Sequence, residues 1–177
     1  RLENTEIMKN LVIGQSGGPT AVINASLYGA VKAFRESGAD GHVLGMINGI
    51  EGFLADHVMD LSTDLSDKEL ELLKLTPAAY LGSCRYKLPA DLDSEVYPAI
   101  FDNFREMNIG YFLYVGGNDS MDTVDKLSRY AEKIGSDVKF IGIPKTIDND
   151  LVLTDHTPGF GSAAKYVAST VREIVLD

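Results

Sequence analysis

Asp148 and Asp150 stand two residues apart, with Lys145 three residues before the first and Thr146 between. Two carboxylates and an ammonium in so short a span suit proton transfer from a hydroxyl and oxygen ligation of a hard cation. In an extended segment both carboxylates would point to one side, while a solvated Asx turn describes the same residues equally well. Two glycine-rich segments add a different capacity. Gly14-Gln15-Ser16-Gly17-Gly18-Pro19-Thr20 follows the apolar Leu11-Val12-Ile13, and Gly116-Gly117-Asn118-Asp119-Ser120 follows Tyr111 to Val115. Glycines let the backbone approach an anion, and a helix N-terminus supplies free N–H groups. Neither segment is a G-x-G-x-x-G or Walker loop. The first alone equally describes a tight turn without a ligand, and Asn118 or Asp119 alone would serve as a helix cap. A further pair, Gly159 and Gly161, opens the last helical pattern in the same style.

These segments need a scaffold that brings them together. Strand-like runs at 11–13, 43–47, 111–115 and 140–143 alternate with helical patterns. Those patterns are carried by Ile23, Leu27, Val31 and Phe34; by Val96, Ile100, Phe104 and Met107; by Met121, Val124, Leu127, Ala131 and Ile134; and by Phe160, Ala164, Val167, Val171 and Ile174. Residues 65–75 form a shorter helix capped by Ser66. Alternation of this kind predicts a doubly wound α/β fold, a mostly parallel sheet with helices on both faces. Ligands in such folds lie outside the carboxyl ends of the strands, where the glycine pairs and the aspartates fall. The combination points to an enzyme of phosphorylated ligands, with Mg2+ to offset repulsion between acids and phosphate.

Composition narrows the class. The 177 residues carry 16 Lys+Arg against 26 Asp+Glu, a formal charge of −10. That balance disfavours nucleic acid and anionic membranes as partners. Six acids and one base fall between Asp56 and Glu71, without calcium-loop spacing, and read as a solvated surface. The apolar runs fall well short of the roughly 18 residues of a membrane span. Cys84 is the one cysteine; with no internal disulfide available, a cytoplasmic location is expected, and the thiol reads as packing. His42, His57 and His156 lack zinc-site spacing. Residues 1–7 read as an added leader before Met8-Lys9-Asn10, leaving 8–177 as the protein proper.

Four motifs in order resemble the phosphofructokinase family: Ser16-Gly17-Gly18 before a helix containing Asn24; Leu81-Gly82-Ser83-Cys84-Arg85; Gly116-Gly117-Asn118-Asp119-Ser120; and Thr146-Ile147-Asp148-Asn149-Asp150. Gly45 to Gly52 falls where that family has its second-strand loop. The resemblance implies that residues 8–177 are the N-terminal donor-binding part of a longer enzyme that phosphorylates the 1-hydroxyl of fructose 6-phosphate. It implies that Asp148 is the catalytic base and that Thr146 and Asp150 flank the sugar and the transferred group. Arg85, Gly17, Gly18 and Gly117 would bind the donor. ATP-using members carry Gly-Gly-Asp-Gly-Ser and Pro-Gly-Thr-Ile-Asp-Asn-Asp; here Asp119 and Lys145 replace glycines, as in pyrophosphate-using members. A carboxylate at Asp119 would fill the space of a nucleotide α-phosphate, and Lys145 would offset its charge and grip a diphosphate. Asn118 stands where most members have a magnesium-associated aspartate, so Asn118 and Asp119 become the metal candidates, with weakened affinity. The family's later sugar-phosphate residues are absent from these 177, which predicts little or no activity for this piece alone. The resemblance also implies a homo-oligomer. An ATP-dependent 6-phosphofructokinase, and a non-catalytic phosphate-binding module on the same fold, are the alternatives.

Overall fold

Strand β1 (Asn10–Gln15) alternates Val12 toward one face of the sheet and Leu11 and Ile13 toward the other, all buried. A strand buried on both faces belongs in the middle of a covered sheet, and β1 is its centre. The computed structural model describes residues 9–176; the leader at 1–7 lies outside them. In chain order there follow α1 (Ile23–Glu36), β2 (Val43–Met46), α2 (Gly49–Leu54), β3 (Val58–Asp60), α3 (Asp67–Leu73), α4 (Val96–Glu106), β4 (Ile109–Gly116), α5 (Asn118–Ile134), β5 (Lys139–Pro144) and α6 (Phe160–Leu176). The sheet order is β3-β2-β1-β4-β5. Pairing is parallel throughout except at β3, which runs antiparallel to β2.

The sheet divides two cores. One holds Val12, Phe112 and Tyr114 against Phe53 of α2, Tyr97, Ile100 and Phe104 of α4, and Leu127 and Tyr130 of α5. The other holds Ile13, Leu113 and Val115 against Ile23, Leu27 and Val31 of α1 and Leu70 and Leu73 of α3. Opposite faces of β4 thus feed opposite cores, as period-two alternation requires. Ser66 caps α3 as expected, within a capping box closed by Glu69.

The acids of the 56–71 stretch form the solvated surface expected, all but Asp60 exposed, with surface contacts from Asp60 to His42 at 2.6 Å, Asp67 to Arg35 at 2.9 Å and Glu71 to Tyr28 at 2.8 Å. The structure departs from the sequence expectations in two places. Residues 49–54 form a helix, overlapping the 45–52 stretch set against the family's second-strand loop, and 58–60 form an edge strand that the apolar pattern does not mark. The last helix forms at Phe160, yet α6 buries no side chain, and Val171 and Ile174 are exposed. No helix among the described residues is long and apolar enough to cross a membrane.

Candidate active site

The carboxyl ends of β1, β4 and β5 are tied into one floor. Ser16 N–H donates to the Val115 carbonyl at 2.9 Å, and Lys145 N–H donates to the Gly116 carbonyl at 2.9 Å. The chain leaves β1 through Gly17, whose φ of +74° suits glycine. At Gly116 a Cβ would come within 1.9 Å of Ser120 Oγ. Glycine there lets α5 start directly against the strand end. Gly117 is its N-cap, without a side-chain cap bond, so neither Asn118 nor Asp119 acts as the cap.

A strap from residue 82 to 89 crosses over this floor. Gly17 N–H donates to the Cys84 carbonyl at 3.1 Å, and Ser83 Oγ donates to the Gly17 carbonyl at 2.6 Å. Behind it lies a buried amide network. Gln15 Nε2 donates to Asn24 Oδ1 at 2.9 Å, Gln15 Oε1 accepts Leu81 N–H at 2.9 Å, and Asn24 Oδ1 accepts Tyr80 N–H at 2.8 Å. Asn24 Nδ2 donates to the Thr76 carbonyl at 2.9 Å. Both side chains are fully buried, so each unmade bond would leave a desolvated polar group. The network fixes the loop that presents Arg85. Within the strap Cys84 is buried, its Sγ 3.6 Å from the Tyr114 hydroxyl. Burial pushes that phenol well above its ordinary value.

Between floor and strap lies a cavity of about 360 Å³. Gly17, Gly18, Arg85, Gly117, Asn118, Asp119, Lys145 and Asp148 all line it. A second cavity of about 260 Å³ is lined by Gly18, Gly117, Asn118, Lys145, Thr146 and Asp148 among others. Asp148 and Lys145 therefore border both. Ser16, Cys84, Tyr86 and Ser120 complete the first lining; of these only Tyr86 lies outside the motifs read from the sequence, and its signal is adjacency to Arg85.

Lys145 is 5% exposed, and its ammonium donates to the Gly18 carbonyl. Burial first, and then the Arg85 guanidinium, hold its pKa below the ordinary 10.5. It makes no ion pair with Asp119. The partner of Asp119 is Lys87, at 3.0 Å, which corrects the expected pairing. The 146–150 segment is also not extended. Asp148 N–H donates to Thr146 Oγ1 at 3.0 Å, and Asn149 turns with φ of +54°. Asn149 ties the loop back, accepting Thr157 N–H at 2.9 Å. Asp148 faces the cavities, whereas Asp150 lines neither and accepts a bond from Asn118 Nδ2 at 3.0 Å.

Among the described residues no three acids, histidines or cysteines cluster into a metal cage. The oxygens present suit a different kind of site. Magnesium commonly takes one or two carboxylates and completes its shell with water and phosphate oxygens. Asn118 and Asp148, bordering one cavity, fit that pattern, whereas Asp119, on the same lining, is engaged by Lys87.

Residues 10–177 match the family described as Phosphofructokinase. The chain is 46% identical over 171 residues to a pyrophosphate–fructose 6-phosphate 1-phosphotransferase of Halomonas elongata, covering 95% of this chain and 40% of that protein. It superposes on the crystal structure of a pyrophosphate-dependent phosphofructokinase from Nitrosospira multiformis with a TM-score of 0.87 at 43% identity, covering 95% of this chain and 41% of that one. Similarity to an ATP-dependent 6-phosphofructokinase of Clostridium acetobutylicum is lower, 28% over 171 residues, covering 94% of this chain and 48% of that protein. The chain thus spans about 40% of the length of the pyrophosphate-dependent relative.

Proposed function

This chain belongs to the phosphofructokinase family, and from that premise we propose that it is the donor-binding part of a pyrophosphate-dependent phosphofructokinase. The reaction transfers a phosphoryl group from pyrophosphate to the 1-hydroxyl of fructose 6-phosphate, giving fructose 1,6-bisphosphate and orthophosphate. The observation that carries the reading is the convergence of Gly17, Gly18, Arg85, Gly117, Asp119 and Lys145 on one cavity that Asp148 borders. Identities of 46% and 28% to the pyrophosphate- and ATP-dependent relatives support the donor.

The residues divide the work. Backbone N–H groups of the glycine segments, other than that of Gly17, which is bonded to the Cys84 carbonyl, cradle the diphosphate. Arg85 binds it as a fork and Lys145 as a point charge; both steady the charge that develops on the transferred group. Asp148, common to both cavities, takes the proton from the sugar hydroxyl as the new P–O bond forms and the bridging P–O bond breaks. Thr146 holds Asp148, because its hydroxyl accepts the Asp148 N–H. Asp150 works through Asn118 at the edge of the sugar site. Mg2+ would be held by Asn118 with the donor's own oxygens, where it would neutralise phosphate charge; Asp119, the other metal candidate, is engaged by Lys87. Asp119, in place of a glycine, fills space that a nucleotide would require. A homo-oligomer in the cytoplasm completes the reading.

The test is an assay of the full-length protein with fructose 6-phosphate and either pyrophosphate or ATP at equal concentration. Bisphosphate formed with pyrophosphate and not with ATP is expected; preference for ATP refutes the donor assignment.

A further inference from the structure

Asp119 creates an electrostatic difficulty for the donor just assigned. A carboxylate bordering the cavity would repel a polyanion at close range. Lys145 does not relieve it, since its ammonium is turned to the Gly18 carbonyl. The contact that does is Lys87 Nζ to Asp119 Oδ2 at 3.0 Å.

Lys87 is held where it can make that contact. Residues before it are fixed to the β1 loop through Ser83 and Cys84, each bonded to Gly17. Directly after it, the Leu88 carbonyl accepts the Lys126 ammonium at 3.0 Å, and the Pro89 carbonyl accepts the Tyr97 hydroxyl at 2.5 Å. Leu88 itself is buried in the core. The strap is therefore pinned on both sides of Lys87 while its side chain stays outside, 71% exposed. The backbone of Asp119 is held in the first turn of α5, with its side chain 74% exposed. The pair bridges the strap and the helix on which the two walls of the cavity are built.

We propose that Lys87 is a positioning residue for the pyrophosphate donor: it holds and neutralises Asp119, so that this side chain occupies nucleotide space without repelling the diphosphate. The role rests on the donor assignment above. It differs from direct phosphate binding, which would act whether or not Asp119 carried a charge.

A double-mutant cycle in the full-length protein separates these cases, with Lys87→Met, Asp119→Asn and the pair, read as KM and kcat for pyrophosphate. Lys87→Met is expected to raise the KM for pyrophosphate up to about fivefold, the reach of an exposed ion pair, with kcat little changed. In the Asp119→Asn background the same substitution should have less than about half that effect. Lys87→Arg should restore the wild-type KM, and raised salt should shrink the single-mutant effect. An unchanged KM in Lys87→Met, or an equal rise in both backgrounds, overturns the role of Lys87 while leaving the donor assignment standing. A wild-type protein that turns over ATP and not pyrophosphate overturns both.

Discussion

The side-chain amides of Gln15 and Asn24 bond to each other at 2.9 Å in complete burial, one at the end of β1 and the other in the first turn of α1. Through the N–H groups of Leu81 and Tyr80 this pair positions the 76–81 loop, and with it the strap that carries Arg85 and Lys87. On the proposed function, donor binding and folding are coupled through this pair, which lines neither cavity.

Gln15→Leu tests that coupling. The substitution leaves the buried Leu81 N–H without its acceptor and should cost about 1–3 kcal/mol in denaturant unfolding. The KM for pyrophosphate should rise as well, because Arg85 loses its fixed strap. A variant with wild-type stability and KM would show that the network is dispensable.

Lys145 predicts a pH effect. Its pKa lies below 10.5 because of burial and Arg85, so the free protein loses this ammonium at lower pH than an exposed lysine would. A bound diphosphate favours the charged form and draws the proton back. Binding should take up a proton in the alkaline range, and affinity should fall as pH rises through the lowered pKa. Calorimetry in buffers of different ionisation enthalpy measures the uptake. Lys145→Met should abolish it, and uptake that survives would contradict the assignment.

Asp148 is tested by the isosteric change to asparagine, which keeps shape and removes the base. A fall in kcat of about 10²- to 10⁴-fold is expected, with little change in pyrophosphate binding. Loss of binding with kcat retained would move Asp148 from proton transfer to ligand holding.

Much of this arrangement was legible in the residue pattern. The apolar runs of β1, β4 and β5 and the periodicity of α5 are strong local signals, and the glycine segments fall at the strand ends where the cavity opens. Other features depend on contacts the pattern does not carry. α2 contains two glycines and is held by the buried Ile50 and Phe53 rather than by helix propensity. Three residues of β3 are too few to show alternation. The turn at Asn149 is closed by bonds to Asp155 and Thr157, so the spacing of Asp148 and Asp150 suggested a common direction that the backbone does not take. Lys87 and Asp119 lie 32 positions apart, and nothing local marks a surface lysine as the partner of that acid.

Donor choice is the central claim, and the double substitution Asp119→Gly with Lys145→Gly in the full-length protein tests it most directly. The readout is the ratio of kcat/KM for pyrophosphate to that for ATP. Removing the space-filling carboxylate and the diphosphate-binding ammonium together should lower this ratio by at least about tenfold, equivalent to roughly 1.4 kcal/mol of donor discrimination. A ratio equal to that of the wild type would contradict the account.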